Sequence, residues 1–155
     1  MSILIDIQRA CPSENIPSDI AINRWAAAAL GNHSDSSELS IRVVGESESA
    51  TLNKQYRGKS GATNVLSFPF SAVTPEPLPM LGDLVVCAPL VSAEAQQQNK
   101  ALQAHWAHII VHGVLHLLGY DHSDDSDAQI MEALETEILL GLNYPAPYTA
   151  TKEHI

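Results

Sequence analysis

Residues 102–118 are apolar almost all the way round a helix. Leu102, Trp106, Ile110 and Val114 recur every four residues on one stripe, and Ile109, Val111, Leu115, Leu117 and Leu118 fill most of the rest. A helix with no polar face is stable only when buried, so the other elements of the chain must be arranged around it. The same helix carries His108, His112 and His116 on a second stripe, roughly opposite the first. Buried imidazoles need partners. The fold must therefore bring polar groups, or a ligand, to the middle of its own core.

The histidines continue past the helix in the run His112-Gly-Val-Leu-His116-Leu-Leu-Gly119-Tyr-Asp-His122. Residues four apart on a helix lie one turn above each other, so His112 and His116 can aim at one atom. Gly119 can take positive φ and let the chain leave the helix, which allows His122 to close a third corner. Three neutral imidazoles with a fourth position open is the donor set of a catalytic zinc site, one ion per chain. His108 reads better as a hydrogen-bonding neighbour behind the ligands than as a ligand replacing His122. His105, His33 and His154 read as ordinary surface histidines. The spacing matches the zinc-peptidase pattern HExxHxxGxxH, with one departure: Gly113 stands where the peptidase has its glutamate base. Asp121 reads either as a base or ligand-orienting group, or as the cap of the following helix.

These residues closely resemble the signature of the YbeY family of bacterial endoribonucleases. The likeness continues in the same order through Leu52-Asn-Lys-Gln-Tyr-Arg-Gly58, Thr63-Asn-Val-Leu-Ser-Phe-Pro-Phe70, Leu81-Gly-Asp-Leu-Val-Val-Cys87 and Glu132-Ala-Leu-Glu-Thr-Glu-Ile138. It covers roughly residues 40–145. The resemblance implies a small α/β protein that cleaves single-stranded RNA, acting in 16S rRNA 3′-end maturation and ribosome quality control. It implies His112, His116 and His122 as zinc ligands and Arg57 as a catalytic arginine. The glycine after the first histidine is the family's own residue. Partners would be small-subunit rRNA and ribosome-associated proteins, with neither DNA nor membrane expected.

Charge pulls the other way. The net charge is −10, whereas nucleic-acid-binding proteins are usually basic because phosphate neutralisation drives their affinity. The distribution softens this: residues 53–69 hold Lys54, Arg57 and Lys59 and no acid, while residues 121–137 hold seven acids and no base. Lys54 and Lys59 are thus candidate substrate contacts on a small cationic face, although basic residues also favour helix C-termini for local reasons. Weak intrinsic RNA affinity with positioning by a ribosome or partner protein fits both facts. Two further readings stand beside the nuclease. One is a metallopeptidase-like hydrolase, against which the missing glutamate argues. The other is a non-catalytic ribosome-associated protein with a structural metal, which would need Cys87 or His108 as fourth ligand.

Length and patterning predict one α/β (α+β) domain over residues 1–155. The expected architecture is a mixed sheet of about four strands packed with about five helices, including the buried His-bearing one. Strands are expected over 2–9, 39–44, 64–70 and 83–87. Helices are expected over 18–31, 46–57, 92–100, 102–118 and from 123–126 to 140. The second of these should close on Gly58. Prolines at 75, 77 and 79 make 71–80 an irregular loop, and residues 145–155 read as a disordered tail. Met131 falls in an apolar helical pattern and reads as core. Cys11 and Cys87 are too few for a disulfide framework. The start MSILIDIQRA lacks a basic region of the secretory kind, and apolar runs are too short to span a bilayer, so a cytoplasmic protein is expected.

Overall fold

Ile5 and Ile7 alternate with polar neighbours, and in the computed structural model this segment is the edge strand β1 (Leu4–Arg9). The structure describes residues 4–11, 15–31, 38–70, 80–121 and 123–148. Helix α1 (Asp19–Leu30) starts at Ser18, whose hydroxyl accepts from the Ala21 N–H. Its buried residues, Ile22, Trp25, Ala26, Ala29 and Leu30, follow the i, i+3, i+4, i+7, i+8 spacing of a single apolar stripe. Then come β2 (Glu38–Val44), α2 (Glu46–Arg57), β3 (Val65–Pro69), β4 (Met80–Cys87), α3 (Ala88–Gln97), α4 (Leu102–Leu117) and α5 (Asp125–Gly141).

The four strands form one mixed sheet in the order β1-β2-β4-β3. β1, β2 and β4 run parallel, and β3 pairs antiparallel with β4. The expected class, five helices and a four-stranded mixed sheet, is what the described residues form. Helix α4 runs through the centre, packed against α1, α3, α5 and the sheet. Every residue from His105 to Leu115 is buried, as an all-round apolar helix requires.

Several details differ from the sequence reading. Helix α3 begins at Ala88, directly off β4, and ends at Gln97 rather than spanning 92–100. Pro89 sits in its first turn, where a missing N–H costs nothing. Strand β4 starts at Met80 instead of Asp83, because Gly82, at φ +147°, carries the chain through an irregularity against β2. A side chain on Gly82 would run into the Phe68 carbonyl. His105 is not a surface residue: it is 1% exposed, with Nε2 2.9 Å from Glu94 Oε1. His33, His154 and the 71–79 loop lie outside the described residues.

Gly113 explains how closely α4 approaches the sheet. A Cβ there would lie 2.8 Å from Leu84 Cδ2 and 3.3 Å from Val65 Cγ2. Position 113 therefore faces the sheet, and no glutamate could be accommodated there without moving α4. Gly113→Ala is expected to cost about 1–3 kcal/mol through overpacking, read as a lower denaturant midpoint. Combined with Leu84→Ala, the loss should be smaller than the sum of the two single losses.

Candidate metal centre

Helix geometry sets His108, His112 and His116 one above another on the face of α4 that meets α5. His112 and His116 face each other with their Nε2 atoms 3.1 Å apart and ring centroids 4.5 Å apart. Behind them stands Glu135 of α5, which is 1% exposed. Its Oε1 lies 3.2 Å from His112 Nδ1 and 2.7 Å from His108 Nε2. Tyr148 donates its hydroxyl to the same oxygen at 3.1 Å. Burial pushes the Glu135 carboxyl up, but the hydrogen bonds from His108 and His112 prevail and hold it at about 2. It is therefore a carboxylate, and a carboxylate only accepts. His112 must then carry a proton on Nδ1, which leaves Nε2 as the nitrogen turned toward His116.

Burial also lowers the His108 pKa, against the opposing pull of Glu135. A neutral His108 donates through Nε2 to the carboxylate, one turn before His112 and with its ring centroid 6.4 Å from that of His112. Tyr148 is pushed up by burial and by the Glu135 charge, so it stays a phenol and a donor.

The donor set fits a metal. Two nitrogens bound to one tetrahedral zinc at about 2.0–2.1 Å lie about 3.3 Å apart, close to the 3.1 Å found between the His112 and His116 Nε2 atoms. The carboxylate on His112 Nδ1 is the arrangement that orients metal-binding imidazoles. His122 lies outside the described residues. Among the described residues, no third His, Cys, Asp or Glu joins the pair to make a metal-binding group. Cys87 is buried at the end of β4 and His108 is engaged with Glu135, so neither supplies the fourth ligand of a closed structural site.

His112 and His116 open onto a cleft of about 650 Å³ along the β3 edge of the sheet. Arg57, Lys59 and Asp121 line the same cleft; Lys54, one turn earlier on α2, does not. The loop that carries Lys59 is pinned by α2. Ser49 donates to the Thr63 carbonyl and accepts from its N–H, and Asn53 donates to the Gly61 carbonyl. Gly58, at φ +67°, ends α2 as expected, with Gly58 N–H on Lys54 O and Lys59 N–H on Asn53 O. Asp121 is not the cap of α5; that role falls to Asp124, which accepts from the Asp127 N–H at 2.8 Å.

Glu135 and Tyr148 were not singled out from the sequence. Glu135 did carry a signal: Met131, Glu135 and Leu139, spaced four apart, form the buried stripe of α5, and an acid on such a stripe demands buried partners. Met131 is core, 1% exposed. Residues 145–148, assigned from sequence to the tail, lie against the body, where Lys100 Nζ donates to the Pro147 carbonyl and Tyr148 reaches Glu135. Glu135→Gln should leave the far-ultraviolet circular dichroism unchanged and weaken metal affinity by about 10–100-fold, measured by competition with a chromogenic chelator.

The geometry has counterparts in known proteins. A match to the family described as Endoribonuclease YbeY spans residues 12–143. A relative from Nitrosococcus oceani named Endoribonuclease YbeY is 55% identical over 150 residues, covering 96% of this chain and 98% of its own length. The solution structure of TM1509 from Thermotoga maritima has the same fold, with a TM-score of 0.61 at 22% identity, covering 99% of this chain and 100% of that one. Family match and near-full-length identity agree: the chain belongs to the endoribonuclease YbeY family.

Proposed function

We propose that this member of an endoribonuclease family is a metal-dependent enzyme that cuts single-stranded RNA, one catalytic domain holding one zinc ion through His112, His116 and His122. Its substrate would be small-subunit rRNA, in 16S 3′-end maturation and ribosome quality control, with ribosome-associated proteins as partners and the cytoplasm as its setting. The observation that carries the reading is the pair of Nε2 atoms 3.1 Å apart, backed by Glu135 and opening on the same cleft as Arg57.

When bound, a zinc ion supplies Lewis acidity toward the scissile phosphate or the attacking hydroxyl. The chain's own groups do the rest. Glu135 fixes the tautomer and ring plane of His112. Arg57 brings a planar guanidinium, charged at any working pH, whose paired N–H groups match two phosphate oxygens. Lys59, on the pinned loop, adds a second cation at the cleft wall. Lys54, outside the cleft lining, would reach only RNA that extends past it.

The peptidase alternative is disfavoured by packing. The position that would hold its base packs against Leu84 and Val65, which leave no room for a glutamate side chain. No helix among the described residues is long and apolar enough to cross a membrane.

The test is cleavage of a labelled single-stranded RNA by the protein and by His116→Ala purified side by side. Cleavage is expected in the first and loss to background in the second; equal cleavage in both would sink the proposal. Arg57→Ala should keep its metal content and lose about 100-fold or more in kcat/KM. Undiminished turnover in that variant would remove Arg57 from the mechanism.

A further inference from the structure

Tyr56 stands next to Arg57 in the last turn of α2 and is 61% exposed. Its ring meets Phe68 of β3 edge to face, with centroids 5.1 Å apart and planes at 72°. The contact fixes the ring's attitude while most of its surface stays open to solvent. Both rings line the cleft that contains His112 and His116, and the cations Arg57 and Lys59 line it too. Among the described residues the charged lining is thus two cations against Asp121, in a chain whose net charge is −10.

A fixed, open aromatic ring in the same cleft as cations is the combination that holds single-stranded nucleic acid: the ring stacks on a base and the cations take neighbouring phosphates. The geometry points to Tyr56 as the stacking platform for one unpaired base of the RNA strand, adjacent to the phosphate held by Arg57. This inference rests on the nuclease reading above and adds a binding subsite to it. It also gives strand selectivity a physical source. In a duplex both faces of a base are covered by its stacked neighbours, so only an unpaired base can lay a face on Tyr56. Stacking uses the ring and not the hydroxyl. Phe and Trp should therefore substitute for Tyr56, whereas Leu, which keeps apolar area without a π-face, should not.

The experiment compares wild-type protein with Tyr56→Phe, Tyr56→Trp, Tyr56→Leu and Tyr56→Ala on a labelled single-stranded RNA. Cleavage kinetics are read alongside fluorescence anisotropy on the His116→Ala background. Tyr56→Ala and Tyr56→Leu should raise KM and Kd by about 5- to 100-fold with kcat within about twofold of wild type, and Tyr56→Phe and Tyr56→Trp should bind like wild type. A series of RNAs, each with one abasic nucleotide, then locates the base. At one position the abasic substitution should weaken wild type and leave Tyr56→Ala unaffected. Wild-type affinity in Tyr56→Ala, or a loss in that variant equal at every abasic position, overturns the stacking role while leaving the nuclease intact. Failure of the wild-type protein to bind or cleave RNA overturns the nuclease reading, and the subsite with it.

Discussion

The site depends on one buried carboxylate. Helix α4 has no polar face, yet it carries imidazoles into the core, and Glu135 is what makes them tolerable there. A lone carboxylate at 1% exposure would shed its charge. Donors from His108, His112 and Tyr148 keep it ionised. The dependence runs both ways: removing one member of such a buried set leaves the others uncompensated, typically at about 3–5 kcal/mol. That cooperativity ties α4, α5 and the segment ending at Tyr148 into one unit. It also fixes which nitrogen of His112 faces the cleft, so the same interaction serves stability and function.

Close packing sets the cleft's position. With no side chain at Gly113, α4 lies against Leu84 and Val65, which brings its histidines beside β3. Among the described residues β3 is an edge strand, with no further strand covering that flank of the sheet. Helix α2 approaches from the other side, and its buried faces are polar: Ser49 and Asn53 hold the 58–64 connection instead of filling a core. One wall of the cleft is therefore held by apolar burial and the other by hydrogen bonds to backbone. The second kind of support is local and strong enough to fix Arg57 and Lys59 in relation to the histidines without burying either cation.

What could be read from the sequence follows the range of the interaction that encodes it. The ends of α2 were legible because Gly58 acts within one turn, and the burial of α4 because its apolar residues leave no gap. The facing of His112 and His116 was legible from helical spacing alone. The start of α3 was not, since polar residues from Glu94 onward masked the apolar Ala88-Pro-Leu-Val beginning. His105 was misread for a related reason. Its partner Glu94 is eleven residues away on another helix, and nothing near His105 in sequence announces it. Tyr148 lies beyond Pro145 and Pro147, where composition argues for a loose tail, and only the fold delivers it to Glu135. Glu135 was the recoverable miss, because an acid between Met131 and Leu139 breaks an otherwise apolar stripe.

The charge distribution links fold to substrate. Acids cluster on α5 and just before it, with Asp124, Asp125 and Glu137 exposed, while the cations near the cleft sit at the end of α2. At physiological salt, charges are screened over about 8 Å, so the acidic side repels RNA at long range only weakly and the cationic cleft wall attracts it only nearby. A protein of this charge cannot rely on steering or on broad phosphate neutralisation. On the proposed reading, its hold on a strand would come from short-range contacts made inside the cleft: an arginine fork on one phosphate and an aromatic face on one base. Contacts of that kind would reward an unpaired, locally flexible strand over a duplex, and under the proposed function they would favour a substrate delivered at high local concentration by a larger assembly over one captured from dilute solution.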